Sequence, residues 1–337
     1  MVASPVKRFV GTAVLFAVLW NVVFLGQWLD SVGRPREPPL TVLIWDWPQG
    51  RPLNLTGDLC ATRYQIEGCH LTGDRRLYGD ADVVAFHHRE LQKDRARLPR
   101  AKGNPGQKWV WVSLESPSHS DALSGWNGTG WDWVMTYRRD SDIFVPYGEL
   151  IPRAPDDEVD IPEKTGLVAW VISNFHRHQE RAQLALNLSQ HLQIDVYGKA
   201  SKKPLCPGCL LPTIARYKFY LAFENSIHRD YITEKLWRNS LLAGAVPVVL
   251  GPPRANYEEF IPAETFIHVR DFGSVEDLAG FLAHMNESHY RRYFAWKRRY
   301  RVKLYDDWRE RFCTICRRYP HLPQGKVYPD LKSWFWD

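Results

Sequence analysis

The chain has 337 residues, of which 45% are apolar, with 15 each of Trp, Tyr and Phe. This length predicts two domains of ordinary size, and this composition excludes an intrinsically disordered chain beyond the first forty residues. The net charge of +6 is spread along the sequence, and the densest basic stretch (residues 291–301) is interleaved with aromatic residues as in an amphipathic helix, so nucleic acid is not expected as a partner.

The N-terminus has the pattern of a membrane anchor. Phe9–Leu29 is a run of 21 uncharged residues, and as a helix it would be about 31 Å long against a hydrocarbon core of about 30 Å. Lys7 and Arg8 precede it, which predicts a cytosolic tail at residues 1–8 and a lumenal location for the rest. A cleaved signal peptide also begins with basic residues, but this run is long for one and no clear cleavage site follows. Residues 30–40 then form a short Pro-containing stem.

The first domain, residues 41–160, is predicted to be an α/β unit of Rossmann type. Apolar runs at Thr41–Trp45, Ala81–Phe86 and Trp109–Leu114 indicate buried strands, with helix-length segments between them. Glu115 follows the third run, so its carboxylate is expected at the C-terminal edge of the sheet. A helix-capping or salt-bridged glutamate at this point is the alternative interpretation.

The adjacent histidines His87 and His88 are metal ligands by type. Consecutive side chains on a strand point to opposite faces, so a shared metal ion is not expected. We expect one of the two to be buried and hydrogen-bonded.

The sequence Asp140-Ser141-Asp142 matches the D-x-D pattern of metal-dependent transferases. Arg138 and Arg139 precede it directly, which favours structural ion pairs over metal binding. Activity in excess EDTA would distinguish the two interpretations.

A linker and a second α/β domain follow. Gly148–Thr165 contains three prolines and several acidic residues, as interdomain linkers do. The second domain, residues 161–337, is predicted to begin with strand Leu167–Ile172, helix Phe175–Gln190 and strand Gln193–Tyr197. A capping box at Ser274 predicts a further helix to about Met285.

A βαβ unit in the second domain predicts a ligand site. Strand Phe219–Phe223 ends in a polar loop, a helix runs from about Thr233 to Gly244, and strand Val246–Leu250 follows. Ligands bind at the carboxyl ends of strands in such sheets.

Three residues near the start of that helix predict the chemistry of the ligand. Tyr231, Glu234 and Lys235 are spaced i, i+3 and i+4, which would place them on one helical face. A helix N-terminus together with a lysine suits a diphosphate. The unit therefore predicts a nucleotide-sugar site.

Six cysteines and four glycosylation sequons fit a secretory compartment. Two C-x-x-C spacings leave a zinc site open, although an oxidising lumen favours disulfides. The cysteines fall into three close pairs, Cys60 and Cys69, Cys206 and Cys209, and Cys313 and Cys316, and the sequons are at Asn54, Asn127, Asn187 and Asn286.

Several long segments resemble those of the α-1,3-fucosyltransferases, and the resemblance spans essentially the whole chain after residue 40. It implies the GT-B architecture, two Rossmann-like domains facing across a cleft, behind one N-terminal transmembrane helix. It also implies a metal-independent, type II Golgi membrane enzyme that needs no cofactor and uses GDP-fucose as donor. The segments that carry it are Val42–Trp47, Phe86–Glu90, Trp109–His119, Tyr137–Gly148, Phe219–Gly251 and Asp307–Pro323.

The resemblance implies an inverting transfer of L-fucose to O3 of N-acetylglucosamine in lactosamine chains of glycoproteins and glycolipids. With an α-2,3-sialylated acceptor, the product would be a sialyl Lewis X type glycan. A lumenal glycan-binding protein without activity, or a GT-B enzyme with another GDP-sugar such as GDP-mannose, remains the alternative. Release of GDP and a panel of donors would distinguish these.

The resemblance also assigns roles to individual residues. It implies that Glu115 is the catalytic base and that Arg51 lies near the acceptor, where it would suit a sialic acid carboxylate. Tyr220 lies inside a strand and is equally compatible with the core. Local disulfides are implied as well, pairing Cys60 with Cys69, Cys206 with Cys209, and Cys313 with Cys316. The residues matching donor contacts are Tyr147, Ser173, Asn174, Arg181, Tyr220, Asn225, Tyr231, Glu234 and Lys235.

Overall fold

The computed structural model describes residues 38–94, 98–120, 123–154 and 159–336. The predicted cytosolic tail, the membrane anchor and residues 30–37 of the stem lie outside these ranges. Within them, none of the helices combines the length and apolar character that crossing a bilayer requires.

The first domain is built on a parallel sheet of six strands in the order β2-β1-β3-β4-β5-β6. The three predicted strands are confirmed to within two residues, since β1, β3 and β4 coincide with the three apolar runs. The strands are β1 Leu40–Ile44, β2 Cys69–Thr72, β3 Val83–His87, β4 Lys108–Ser113, β5 Trp133–Thr136 and β6 Ile143–Phe144, with helices Leu59–Tyr64 and His88–Lys93 between them.

The second domain is built on a parallel sheet of five strands in the order β12-β11-β10-β8-β9. The predicted strand Val246–Leu250 is found with those bounds, and Ser274 caps helix Val275–His284 by accepting a hydrogen bond from the backbone N–H of Asp277. Its strands are β8 Gly166–Val171, β9 Ile194–Tyr197, β10 Tyr217–Phe223, β11 Val246–Leu250 and β12 Ile267–His268; its helices are Glu180–Leu188, Leu210–Ala215, Glu234–Leu236 continued by the π-helix Trp237–Leu242, Arg254–Glu258, Val275–His284 and Glu287–Arg292.

The segment predicted as a linker is partly a strand. β7 (Gly148–Pro152) pairs antiparallel with β13 (Tyr300–Leu304) in a small two-stranded sheet beside the two large ones. Short 3₁₀ turns complete the described secondary structure at Pro48–Gly50, Arg75–Gly79, Pro117–His119, Leu123–Trp126, Lys199–Ser201, Ala263–Thr265, Val269–Asp271, Ala295–Arg298 and Tyr319–His321.

The C-terminal segment returns to the first domain. Helices Trp308–Arg318 and Leu331–Trp336 bury Phe312, Ile315 and Phe335 in the core of the six-stranded sheet. The predicted second domain, residues 161–337, therefore does not describe the last thirty residues. The amphipathic pattern of these helices gave no indication of which sheet they would cover.

The disulfide pairing implied by the resemblance is wrong for four of the six cysteines. Cys60 pairs with Cys313 and Cys69 with Cys316, and only Cys206–Cys209 is local. The two long-range bridges lie side by side, which brings the sulfurs of Cys60, Cys69 and Cys313 within 4.8 Å of one another. All six cysteines are in disulfides, so their thiolates are not available to zinc. Sequence proximity did not reveal the pairing because the C-terminal helix docks on the first domain.

The four sequon asparagines are all exposed to solvent. Asn54 accepts a hydrogen bond from the backbone N–H of Thr56, and Asn286 caps a helix by accepting one from His289. Both bonds use the side-chain oxygen, so the nitrogen to which a glycan is attached stays accessible. Glycosylation remains a prediction.

Candidate active site

Glu115 lies two residues beyond β4, at the carboxyl edge of the first sheet. Its Oε1 accepts a hydrogen bond of 2.8 Å from Nη1 of Arg89, and its side chain is 28% exposed. The backbone is fixed here, since the hydroxyl of Tyr147 donates to the carbonyl oxygen of Leu114 at 2.5 Å. The carboxylate is therefore held in place at the sheet edge and still reached by solvent.

Glu224 is a buried carboxylate at the end of β10 to which the sequence analysis gave no role. It accepts 2.8 Å hydrogen bonds from the backbone N–H and the hydroxyl of Thr233 and from Nζ of Lys235. Its signal in the sequence was a charged residue directly after the apolar run Phe219–Phe223. It fixes both the helix N-cap, Thr233, and the lysine predicted to bind the donor.

Lys235 keeps its positive charge at this edge of the second sheet. Burial alone would lower the pKa of the ammonium group, but the carboxylates of Glu224 and Glu234 outweigh burial and raise it. Burial would likewise raise the pKa of Glu234, and Lys235 reverses that, so the pKa of Glu234 is lowered. The result is a cation held beside the first turn of helix Glu234–Leu236, where backbone N–H groups also favour an anion.

Arg181 provides a second cation at the same edge, in the first turn of helix Glu180–Leu188. Its Nη2 donates to the carbonyl oxygen of Asn174 at 2.6 Å and its Nε to the side chain of Gln179 at 2.9 Å. The guanidinium is thus anchored to the loop that follows β8, while Ser173 and Asn174 themselves are exposed. Burial lowers the pKa of Arg181.

Two tyrosines lie between the two sheet edges. Burial raises the pKa of Tyr147 well above its usual range, and Glu234 and Glu115 add to that shift. Burial also raises the pKa of Tyr231, with Glu115 and Glu234 again among the contributors. The charges of both carboxylates thus act on each phenol, and the hydrogen bond from Tyr147 to Leu114 places one of the phenols directly beside Glu115.

Of the predicted donor contacts, Tyr231 has a different position from that expected, and Tyr220 has the core position that the sequence left open. Tyr231 precedes the helix, so it does not share a helical face with Lys235; its ring packs on Tyr137 at a centroid distance of 5.0 Å. Tyr220 is 0% exposed, and its hydroxyl accepts a hydrogen bond from Asn239. Tyr220 is therefore a core residue, because its position inside β10 directs it into the sheet packing. Asn225 lies in the loop after β10, with its side-chain oxygen 3.1 Å from the hydroxyl oxygen of Ser226.

Arg51 is exposed in the loop after β1. Together with Leu53 and Trp308 it lines a cavity of about 510 Å³ on the first domain. The predicted acceptor residue is thus beside an open cavity formed partly by the returning C-terminal helix.

Both His87 and His88 are buried, whereas only one was expected to be. Among the described residues, neither ring nitrogen of His88 has a hydrogen-bond partner, and His88 already belongs to the helix after β3. Burial lowers the pKa of His88 to about 3 and that of His87 well below its usual range. Both rings pack against tryptophans, His87 on Trp308 and His88 on Trp111.

The carboxylates of Asp140 and Asp142 both form hydrogen bonds and ion pairs with other residues of the protein. Arg138 donates two hydrogen bonds to the carboxylate of Asp140. Asp142 accepts from the hydroxyl of Tyr328 at 2.8 Å and from Nζ of Lys326 at 2.7 Å, which ties the C-terminal segment to the first sheet. The geometry accords with the structural ion pairs predicted for Arg138.

Two family models together match most of the chain. Residues 37–148 match the model described as fucosyltransferase, N-terminal, and residues 161–334 match glycosyltransferase family 10 (fucosyltransferase) C-term. The boundary between them falls in the segment that connects the two large sheets.

Known proteins resemble the chain in sequence and in structure. Alpha-(1,3)-fucosyltransferase 7 of Homo sapiens is 54% identical over 98% of each chain, and that of Bos taurus is 56% identical over 98% of this chain and 97% of its own. Alpha-(1,3)-fucosyltransferase 4 of Homo sapiens is 43% identical over 88% of this chain and 64% of its own. A crystal structure of an alpha1,3-fucosyltransferase with GDP-fucose has a TM-score of 0.52 at 15% identity and covers 78% of this chain and 83% of its own, which shows a shared fold.

Proposed function

This chain belongs to glycosyltransferase family 10, the fucosyltransferases, and we propose that it transfers L-fucose from GDP-fucose to an acceptor sugar in α-1,3 linkage. Relatives more than half identical over nearly the whole chain carry the name alpha-(1,3)-fucosyltransferase, which supports the activity. The observation that carries the proposal is the arrangement of one anchored carboxylate, Glu115, opposite the anchored cations Lys235 and Arg181.

The proposed reaction is a single displacement at the anomeric carbon of fucose. Glu115 accepts the proton of the acceptor hydroxyl as that oxygen attacks, and the bond from the anomeric carbon to GDP breaks on the opposite side. The β-linked donor thus gives an α-linked product. The ion pair with Arg89 orients the carboxylate, and a positioned base of this kind contributes roughly 10²–10⁴-fold to the rate.

The departing GDP is stabilised from the second domain. Lys235 and Arg181 face the diphosphate together with the N–H groups of the first helical turn, so fixed charges act where a metal ion acts in other transferases. A cavity of about 420 Å³ beside helix Glu180–Leu188, lined also by Leu250 and Arg270, has room for the guanosine. Neither a metal nor a cofactor enters this mechanism.

The proposed acceptor is N-acetyllactosamine, fucosylated at O3 of its N-acetylglucosamine. The sequence resemblance favours an α-2,3-sialylated form and a sialyl Lewis X type product, made by a type II membrane enzyme in the Golgi. Arg51 is the predicted contact to the sialic acid carboxylate. Its position beside an open cavity on the acceptor side supports that role.

The test uses the full-length chain with GDP-fucose, GDP-mannose, and sialylated and neutral lactosamine, in excess EDTA. We expect fucose transfer with stoichiometric GDP release and none from GDP-mannose. Glu115→Gln should lower kcat by about 10²–10⁴-fold with an unchanged Kd for GDP-fucose. Glu163→Gln, an exposed glutamate between the domains, is the control. Equal turnover by the Glu115→Gln variant would contradict the mechanism, and a lack of transfer by the unmodified chain would contradict the function.

A further inference from the structure

Arg311 is a buried cation that forms no direct ion pair with any residue the structure describes. It lies in helix Trp308–Arg318 and is 5% exposed. Within the four described ranges its guanidinium forms no ion pair, and its Nε has no hydrogen-bond partner. Its contacts are two aromatic rings, with the guanidinium carbon 4.9 Å from the ring centroid of Trp308 and 5.6 Å from that of Tyr147. Burying an unpaired charge is costly, so a missing anion is expected.

The position of Arg311 connects it to the reacting groups. Tyr147, on whose ring it lies, donates to the carbonyl oxygen of Leu114, the residue before Glu115. His87, at the carboxyl end of β3, is near enough for the charge of Arg311 to contribute to its lowered pKa. Arg311 therefore contacts the ring whose hydroxyl holds the backbone next to the proposed base.

An open space for a sugar adjoins this position. Trp308, the other ring beneath Arg311, also lines the 510 Å³ cavity that contains Arg51. Two aspartates line the cavity as well: Asp307 is neutralised by two-pronged hydrogen bonds from Arg309, and Asp306 is near enough for its charge to act on Arg311, although no ion pair joins the two among the described residues. Burial lowers the pKa of Arg311 only to about 10, so the guanidinium is charged at neutral pH.

We propose that Arg311 determines acceptor specificity by binding, together with Arg51, the carboxylate of a sialylated acceptor. This inference rests on the proposed function, because it names a residue that recognises part of the acceptor. In sialylated lactosamine, galactose occupies O4 next to the reacting O3, and sialic acid is attached to that galactose. The galactose thus lies between the sialic acid that carries the carboxylate and the N-acetylglucosamine whose hydroxyl faces Glu115. A planar guanidinium binds a carboxylate with two parallel hydrogen bonds, which a stacked, pre-oriented arginine favours.

The test compares kcat/KM for sialylated and neutral lactosamine in full-length variants. Arg311→Met keeps an apolar side chain against the two rings but removes the charge. Arg311→Lys keeps the charge but lacks the planar guanidinium that forms two parallel hydrogen bonds. Arg317→Met is the control, because it removes an exposed arginine from the same helix. We expect Arg311→Met to lower the ratio of the sialylated to the neutral value by about tenfold or more. Arg311→Lys should lie between, and Arg317→Met should match the unmodified chain.

The results for Arg311→Met distinguish a role in acceptor specificity from a purely structural role. An unchanged ratio in Arg311→Met at an unchanged melting temperature would show a purely structural arginine and overturn the inference. If Arg311→Met has a lowered melting temperature, the ratio of kcat/KM for the sialylated and the neutral acceptor is measured in Arg311→Gln instead. An unchanged ratio there would overturn the inference. If the unmodified chain accepts only the sialylated sugar, hydrolysis of GDP-fucose by water replaces the neutral acceptor, and Arg311→Met should lower transfer but not hydrolysis. Failure of the unmodified chain to release GDP from GDP-fucose would contradict the proposed function instead.

Discussion

At the scale of single residues, Lys235 combines two tasks that can be separated. Its ammonium group neutralises the buried Glu224, whose side chain is 1% exposed, and it also faces the site proposed for the diphosphate. Removing one partner of a buried ion pair leaves an uncompensated charge, whereas removing both need not destabilise the protein. A loss of activity in a single lysine variant would therefore not distinguish folding from donor binding.

We predict that Lys235→Met lowers the free energy of unfolding by about 3–5 kcal/mol and abolishes GDP-fucose binding. The double variant Glu224→Gln, Lys235→Met should recover much of the stability, because the buried Glu224 loses its charge together with its partner, but not the binding; only the partly exposed Glu234 is left without Lys235. Urea unfolding and calorimetric titration with GDP-fucose measure the two effects. A double variant that is stable and binds GDP-fucose normally would limit Lys235 to a structural role.

The burial of His88 predicts how the free energy of unfolding changes at acid pH. Its pKa is about 3 in the folded protein and about 6.5 when unfolded. A lowered folded-state pKa contributes stability above pH 6.5, and this is lost as the pH falls toward 3. Below pH 6.5 we expect unfolding to become easier by up to about 1.4 kcal/mol per pH unit on account of this ring. His88→Leu should reduce that slope, while the exposed His321→Gln should not. Identical slopes in His88→Leu and the unmodified chain would refute this.

At the scale of elements, helix Trp308–Arg318 shows what the sequence could and could not predict. Strands such as Val246–Leu250 and the capped helix Val275–His284 follow from local apolar periodicity and capping, so their bounds were predictable. The docking of the C-terminal helix depends on tertiary packing, and so did the pairing of Cys313 and Cys316. The same distinction holds in the site: Glu115 follows from its position after a strand and Arg181 from the family resemblance, whereas the buried Glu224 and Arg311 became evident only from their surroundings.

The two long-range disulfides predict a non-additive effect on stability. The paired cysteines are 253 and 247 residues apart, yet with one bridge intact the other closes only a small ring. In the chain-entropy model, loss of either bridge then costs about 3 kcal/mol, and loss of both about 8 kcal/mol.

Three variants can be compared by thermal melting under one set of conditions. The first has serine at Cys60 and Cys313, the second has serine at Cys69 and Cys316, and the third has serine at all four positions. We expect the fourfold variant to lose more than the sum of the two pairs. Cys206→Ser with Cys209→Ser is the local control, closing a separation of 3 residues. Additive losses would indicate that the bridges do not share the long loop.

At the scale of the whole molecule, the two domains meet through polar contacts beside the site. The hydroxyl of Ser226 donates to that of Ser116 at 2.7 Å, one residue beyond Glu115. Asp230 of the second domain accepts a hydrogen bond from the backbone N–H of Arg139 at 2.9 Å and also pairs with its side chain. The loop that leads to Lys235 is thus attached to the first domain, and the separation of the two sheet edges depends on these bonds.

Asp230 is the residue whose change should loosen this arrangement. Its φ of 61° lies in the left-handed region, which asparagine also tolerates, so Asp230→Asn removes the charge without straining the backbone. Losing a charge-assisted hydrogen bond costs roughly 1.5–3 kcal/mol, and we expect the Kd for GDP-fucose to rise about tenfold or more. Amide hydrogen exchange in residues 231–235 should accelerate as well.

Arg229→Ala supplies the comparison, since this neighbouring arginine is half exposed and forms only long ion pairs, 3.7 Å to Asp140 and 3.9 Å to Asp230. A screened surface pair contributes at most about 1 kcal/mol, so this variant should bind GDP-fucose nearly as the unmodified chain does. If Asp230→Asn and Arg229→Ala behaved alike in both binding and exchange, the contact between Asp230 and Arg139 would not be what holds the donor loop. The catalytic geometry would then depend on other contacts between this loop and the first domain, such as the packing of Tyr231 against Tyr137 and the bond between Ser226 and Ser116.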